Sequence, residues 1–181
     1  TTHFADRNAI RDGDVTLTYQ ELGERVDQAA RSFIASGIQA GDTVAVWAPN
    51  CWQWVVAGLA VSRAGGVLVP INTRFKGNEA AYVLNAASVQ MLFVADGFLD
   101  TDYSGSLTNE HLPMLQAIVD LTSGGAPGTI NFADFLARGD GPESADYQAE
   151  VERRTDAFAP TDVGSIMFTS GTTGHPKGGQ I

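Results

Sequence analysis

Short apolar runs alternate with helical segments along the chain, and this order restricts the fold more than any other feature of the sequence. The β-branched run at 43–47 leads into a helical segment that ends at the glycine pair 65–66, and a second apolar run follows at 67–70. Two strands joined through a helix pair in parallel. We therefore expect an α/β fold with a mostly parallel sheet flanked by helices.

Helix starts are indicated by side chains that can accept a hydrogen bond from a backbone N–H. Thr18 and Glu21 form a capping-box pattern, and the apolar residues after them recur at helical spacing, which predicts a helix over 19–36. Asn50 is predicted to cap the second helix and Asn78 the third, because asparagine is a preferred capping residue.

The second half of the chain carries five further predicted elements. Strands are expected at 90–94, 116–120 and 163–168, and helices at 132–137 and 144–154. Asn131 is the predicted cap of the first of these two helices. The second of them is polar, so we expect it on the surface.

Charge excludes one class of partner. Asp and Glu number 21 against 11 Lys and Arg, which gives a net charge of -10. Such a chain repels a phosphate backbone unless a local basic stripe overrides the net charge. The only adjacent basic pair is Arg153 and Arg154, so no nucleic-acid partner is expected.

Cysteine and apolar content bear on the compartment. Cys51 is the only cysteine, so no internal disulfide can form, which is typical of a reducing cytoplasm. The longest apolar stretch, 54–61, is far shorter than the roughly twenty residues of a membrane span.

We expect Cys51, Trp47, Trp52 and Trp54 to be packing residues. Because the first residue is not Met, the chain is expected to be a piece of a longer one.

The segment most suggestive of chemistry joins an apolar strand to a loop of small residues: residues 166–178 read IMFTSGTTGHPKG. Its glycines at 171, 174 and 178 permit positive φ, so that successive N–H groups can point at one anion. Ser170, Thr172 and Thr173 add hydroxyl donors, and Lys177, one of two lysines in the chain, adds a positive charge. Together they predict a phosphate-binding loop, although a flexible surface loop is the alternative.

The type of phosphate loop can be narrowed. Pro176 precedes Lys177, where the Walker pattern requires glycine, so the loop is not a Walker loop. Gly178 and Gly179 are poor residues for starting a helix. We therefore expect a strand, the loop and a returning strand.

Residues 168–178 resemble the signature loop of the adenylate-forming enzymes. This family includes acyl-CoA synthetases, peptide-synthetase adenylation domains and beetle luciferases. Residues 17–22 and 63–72 resemble two other motifs of that family, in the family's order. Residues 81–87 look more like the acyl-CoA synthetase branch. Gly179 departs from the pattern, because the family usually has an aliphatic residue there.

The resemblance implies an ATP-dependent acid–thiol ligase that uses Mg²⁺ and coenzyme A. A carboxylate attacks the α-phosphate of ATP to give an acyl-adenylate, and the thiol of coenzyme A then displaces AMP. The residues that would hold the triphosphate are Thr169, Ser170, Gly171, Thr172, Thr173, Gly174 and Lys177, and the Thr169 hydroxyl would help bind Mg²⁺.

The same resemblance predicts a subdivision of the chain. Residues 1–160 would be an amino-terminal α/β subdomain, and 161–181 the strand and loop that open the next part. No catalytic residue is expected within this fragment, which should be inactive alone. Two alternatives remain open: an adenylation domain that loads a carrier protein, and a non-catalytic nucleotide-binding module. The acid substrate is expected to be a fatty acid or a related acid, and aromatic and sterol-derived acids are left open.

Overall fold

A computed structural model describes residues 3–122, 124–169 and 176–181. Within these ranges the chain forms nine strands and five α-helices. The strands are β1 (Asn8–Asp12), β2 (Val15–Thr18), β3 (Thr43–Trp47), β4 (Val67–Pro70), β5 (Met91–Val94), β6 (Ala117–Asp120), β7 (Ile130–Asn131), β8 (Ile166–Thr169) and β9 (Lys177–Gln180). The helices are α1 (Tyr19–Ala35), α2 (Trp52–Arg63), α3 (Gly77–Ala86), α4 (Phe132–Ala137) and α5 (Ser144–Ala157).

A five-stranded sheet forms the centre of the fold, with the strand order β4-β3-β5-β6-β7. Every neighbouring pair is parallel, and in the middle of the sheet Val46 pairs with Pro70 on one side and Phe93 on the other. The strand order reverses at β3, because the chain moves first to β4 and then back past β3 to β5. The predicted α/β fold with parallel crossovers is confirmed.

Both faces of the sheet are covered, because successive side chains of a strand point to opposite faces. Val46 and Phe93 belong to a core shared with α1, α2, α4 and α5, whereas Trp47 and Leu92 belong to a second core against α3. Trp47 is fully buried, and its indole N–H donates to the Asn72 carbonyl at 3.0 Å. Its predicted role in packing is confirmed.

The helix caps were predicted with mixed success. The box at α1 is confirmed: Thr18 Oγ1 accepts from the Glu21 N–H at 3.2 Å, and Glu21 Oε2 accepts from the Thr18 N–H at 2.8 Å. The Asn131 cap is confirmed too, since its Oδ1 accepts from the Ala133 N–H at 2.9 Å. These two caps act within three residues, which is why local sequence reveals them.

The two other cap predictions were wrong. Helix α2 begins at Trp52 rather than after Asn50, and the Trp52 N–H donates to the carboxylate of Asp12, at the end of β1, at 3.0 Å. Helix α3 begins at Gly77, before Asn78, and Glu79 accepts from the Lys76 N–H at 2.8 Å. The β1–β2 hairpin that supplies Asp12 was not predicted.

Helix α5 was expected on the surface, and for its inner face this was wrong. Val151 is fully buried and Arg154 is 6% exposed. The Arg154 guanidinium donates through Nη1 to the carbonyls of Ile38 at 2.8 Å and Ala64 at 3.0 Å. Hydrogen bonds from Arg153 and then Arg154 lower the pKa of Glu150 to about 2. A single arginine therefore connects α5 to the chain segments that follow α1 and α2.

Cys51 lies half-buried against the core at the start of α2. Burial raises the pKa of its thiol, which disfavours the nucleophilic thiolate and agrees with a packing role. Among the described residues, none of the helices has both the length and the apolar character needed to cross a bilayer. The proposed boundary between residues 160 and 161 stays a prediction.

Candidate functional site

The candidate site lies on a hairpin formed by β8 and β9. The two strands pair antiparallel, from Ile166 opposite Gln180 to Thr169 opposite Lys177. The predicted strand, loop and returning strand are therefore confirmed for the flanking strands. The loop residues Ser170, Gly171, Thr172, Thr173 and Gly174 lie outside the described part of the chain, so their predicted contacts stay predictions.

The hairpin is attached to the edge of the central sheet rather than inserted into it. Ser165 forms a parallel bridge with Leu68 of β4, and the Leu68 N–H donates to the Gly164 carbonyl at 3.0 Å. The prediction that the sheet resumes at 163–168 is thus wrong in one respect, because the ladder partner of β8 is β9. Strand β8 runs in the direction of β4, so its end points past the carboxyl ends of the central strands. Ligands of open α/β sheets bind beside the carboxyl ends of the strands.

The two faces of the hairpin have different roles. Ile166 and Phe168 point inward and pack against the core on the α3 side of the sheet. Thr169 and Lys177 are directly opposite each other, so their side chains share one face, and both residues are exposed. Opposite residues of an antiparallel pair have Cβ atoms about 4.5–5.5 Å apart. The hairpin therefore places a hydroxyl and an ammonium side by side where the loop begins and ends.

Gly178 has a different role from the one predicted. Several described glycines have a positive φ, but Gly178 is not one of them. A Cβ at Gly178 would lie 3.1 Å from both Ile166 Cγ2 and Phe168 Cζ. A side chain at this position would therefore have to displace Ile166 or Phe168 by a few tenths of an ångström.

Strand β9 is held in place although Gly179 stands where the family usually has an aliphatic residue. Its end is held by the backbone, because the Ile181 carbonyl accepts from the N–H groups of Gly164 at 2.9 Å and Ser165 at 3.1 Å. The Ile181 N–H donates back to the Ser165 carbonyl at 2.9 Å. The far side of the loop is thus anchored without an aliphatic side chain at Gly179.

Valine at these two glycines should have opposite effects. Gly178→Val is expected to lower the free energy of unfolding by about 1–3 kcal/mol, because it overpacks the site against Ile166 and Phe168. Gly179→Val is the matched control: among the described residues a Cβ there meets only the Met167 carbonyl, at 3.9 Å, so stability should be unchanged or higher. Urea unfolding of both variants measures the difference, and equal losses would contradict this explanation of Gly178.

Comparisons with known proteins agree with the motif. The model of a family described as "AMP-binding enzyme" matches residues 1–181. The chain is 43% identical over 180 residues to the 3-[(3aS,4S,7aS)-7a-methyl-1,5-dioxo-octahydro-1H-inden-4-yl]propanoyl:CoA ligase of Rhodococcus jostii, covering 97% of this chain and 34% of the relative. It is 30% identical to the medium-chain acyl-CoA ligase ACSF2 of Mus musculus, covering 98% of this chain and 31% of the relative.

Solved structures show the same likeness. The fold matches that of the anthranilate CoA ligase AuaEII in complex with anthranoyl-AMP with a TM-score of 0.77 and 26% identity, over 98% of this chain and 32% of that one. Mycobacterium smegmatis MbtA matches with a TM-score of 0.75 and 26% identity, over 98% and 31% of the two chains. The chain thus spans about a third of the length of the relatives it matches. Because the family model covers the whole chain, the chain belongs to the AMP-binding enzyme family.

Proposed function

We propose that the protein carrying this chain uses ATP to convert a carboxylic acid into an acyl-adenylate and then into an acyl-CoA thioester. The observation that carries the proposal is the placement of Lys177 opposite Thr169, on the exposed face where the glycine-rich loop begins and ends. Family membership and the acyl-CoA ligases among the relatives support it.

The ammonium of Lys177 would act on the leaving group. In adenylate formation negative charge accumulates on the departing pyrophosphate, and a fixed donor beside it stabilises the transition state. Lys177 is held at the start of β9, whose pairing with β8 restricts the backbone on both sides of the loop. Ser170, Gly171, Thr172, Thr173 and Gly174 would supply further N–H and hydroxyl donors to the same phosphates.

Thr169 fits the accessory role proposed for it toward Mg²⁺. Its exposed hydroxyl is a hard oxygen ligand, and Mg²⁺ in nucleotide sites takes most of its remaining ligands from phosphates and water. In the described ranges, no group of three or more His, Cys, Asp or Glu residues could hold a metal ion. We therefore propose that Mg²⁺ arrives with ATP and is held mainly by phosphate oxygens.

Free coenzyme A is the acceptor we propose, in place of a carrier protein, because the curated relatives are CoA ligases. For the acid, the higher identity to the ligase for a bicyclic propanoate than to the medium-chain ligase favours a bulky ring-bearing propanoate. We also propose a cytoplasmic reaction, which suits a chain with a single cysteine.

A pyrophosphate-release assay on the protein that carries this chain tests the proposal. The panel contains a ring-bearing propanoate, a medium-chain fatty acid and an aromatic acid, each with and without free coenzyme A. We expect pyrophosphate release only with an acid present, the fastest rate with the ring-bearing propanoate, and a thioester only with coenzyme A. Release without any thioester would favour a carrier-protein acceptor, and no release with any acid would favour a non-catalytic module.

A further inference from the structure

A cleft of about 520 Å³ opens at the amino ends of the central strands. It is bounded by Thr43 and Val67, the first residues of β3 and β4, whereas Thr169, the last residue of β8, lies toward the carboxyl ends of those strands. Phe158 and Ile166 form part of an apolar wall. Arg153 and Arg154, the only adjacent basic pair of the sequence, also line it.

Arg154, which lines this cleft, has one guanidinium nitrogen without a hydrogen bond to the described residues. Its Nε bonds to Glu150 at 2.7 Å and its Nη1 to two carbonyls, so the guanidinium group is held in one position. The residue as a whole is only 6% exposed. Its Nη2 donates no hydrogen bond to the described residues, and none of their side-chain N or O atoms is fully buried without a partner. Nη2 is therefore accessible to solvent, and Arg154 is one of the residues that line the cleft.

Arg153 adds a second unused donor. Its Nε and Nη2 bond to the two oxygens of Glu150 at 2.6 and 2.7 Å, and its Nη1 has no partner within the described ranges. Glu150 bonds to both arginines, and the Asp162 carboxylate, on the cleft wall, accepts from the Ala159 N–H at 2.8 Å. Among the described residues, the guanidinium nitrogens left for a ligand are therefore Nη1 of Arg153 and Nη2 of Arg154.

We propose that this cleft binds a small organic carboxylate, whose charged end accepts from the free nitrogens of Arg153 and Arg154 and whose apolar part lies against Phe158 and Ile166. Guanidinium groups match carboxylate oxygens in geometry and charge, and a mostly apolar cavity with a few fixed polar groups is the usual form of a ligand site. The occupant would contact Ile166 and Gln180 at the root of the hairpin. This site is separate from the phosphate loop and does not depend on the proposed function.

Titration of the ¹⁵N-labelled protein that carries this chain with hexanoate, followed by NMR, tests the site. Hexanoate should cause saturable shifts in the amides of Gly41, Gly65 and Gln180 and in the Nε–H of Arg153, all of which belong to the cleft. Hexanol and hexylamine have the same chain length without the negative charge, and should bind at least about tenfold more weakly, since each charge-assisted bond is worth that much. Shifts centred on residues 169 and 177 instead would overturn the proposal.

Three variants keep the test independent of folding. Arg153 is 65% exposed in its side chain, so Arg153→Gln should leave the fold intact while weakening hexanoate binding about fivefold or more. Arg11→Gln removes the same charge from an exposed position of β1 outside the cleft and should leave the affinity unchanged. Ala157→Trp, which fills the cleft, should abolish the shifts. Equal weakening by Arg153→Gln and Arg11→Gln would show a general charge effect and refute the site.

Discussion

Lys177→Ala is expected to slow adenylate formation by about 10- to 150-fold, because it removes a charge-assisted hydrogen bond worth about 1.5–3 kcal/mol in the transition state. Thioester formation from supplied acyl-adenylate should stay near the wild-type rate, since pyrophosphate has already left before that step. The comparison uses single-turnover rates of the two half-reactions in the protein that carries this chain. It separates a phosphate contact from a general loss of structure, which would slow both steps.

Lys76→Ala is the matched control, because Lys76 is the other lysine of the sequence. Its contribution to α3 is the backbone N–H that Glu79 accepts, which alanine retains. Both half-reactions should therefore keep their wild-type rates in this variant. If Lys177→Ala slowed both half-reactions equally, or if Lys76→Ala matched its effect on the first, the phosphate role of Lys177 would be wrong.

The second large effect is expected at Arg154. Arg154→Ala should lower the free energy of unfolding by about 2–4 kcal/mol, because two buried carbonyls lose their donor and each unsatisfied group costs about 1–3 kcal/mol. These carbonyls belong to Ile38 and Ala64, which are 2% and 0% exposed. Urea unfolding should show a lower midpoint with an unchanged slope, the mark of lost stability rather than of a changed denatured state.

The neighbouring arginine gives an internal comparison, since both side chains bond to Glu150. Among the described residues Arg153 bonds only to that carboxylate, and its side chain is 65% exposed, so Arg153→Ala should cost at most about 1 kcal/mol. Similar losses for the two variants would mean that the shared ion pair, and not the two carbonyl contacts, accounts for the role of Arg154.

Sequence reasoning worked best where the determining contacts are local. The parallel strands β3, β4 and β5 and helix α1 lie where periodicity predicted them, because each is specified by apolar spacing within its own segment. The caps by Thr18 and Asn131 were correct for the same reason. The candidate site was also proposed from local sequence, since strand, loop and lysine are contiguous in the chain, and its binding role stays a prediction.

The wrong predictions concern features that depend on contacts between segments far apart in the chain. The start of α2 depends on Asp12, which is forty residues away in the chain, so the nearby Asn50 gave a wrong signal. Helix α5 has a polar sequence, yet Arg154 is buried because its guanidinium meets carbonyls from two distant segments. Polarity predicted its exposure wrongly, since a charged group can be buried when its hydrogen bonds are satisfied.

The order of apolar runs was enough to predict the α/β fold, and the segment from Thr169 to Lys177 was enough to propose a phosphate-binding loop, because strand periodicity, glycine conformational freedom and a nearby cation are properties of contiguous residues. Only the tertiary structure placed Thr169 opposite Lys177, brought Ile166 and Phe168 close to position 178, and brought the pair Arg153 and Arg154 to a cleft at the amino ends of the central strands. These features depend on which strands and helices meet in space, and that is decided by burying two continuous cores rather than by any single stretch of sequence.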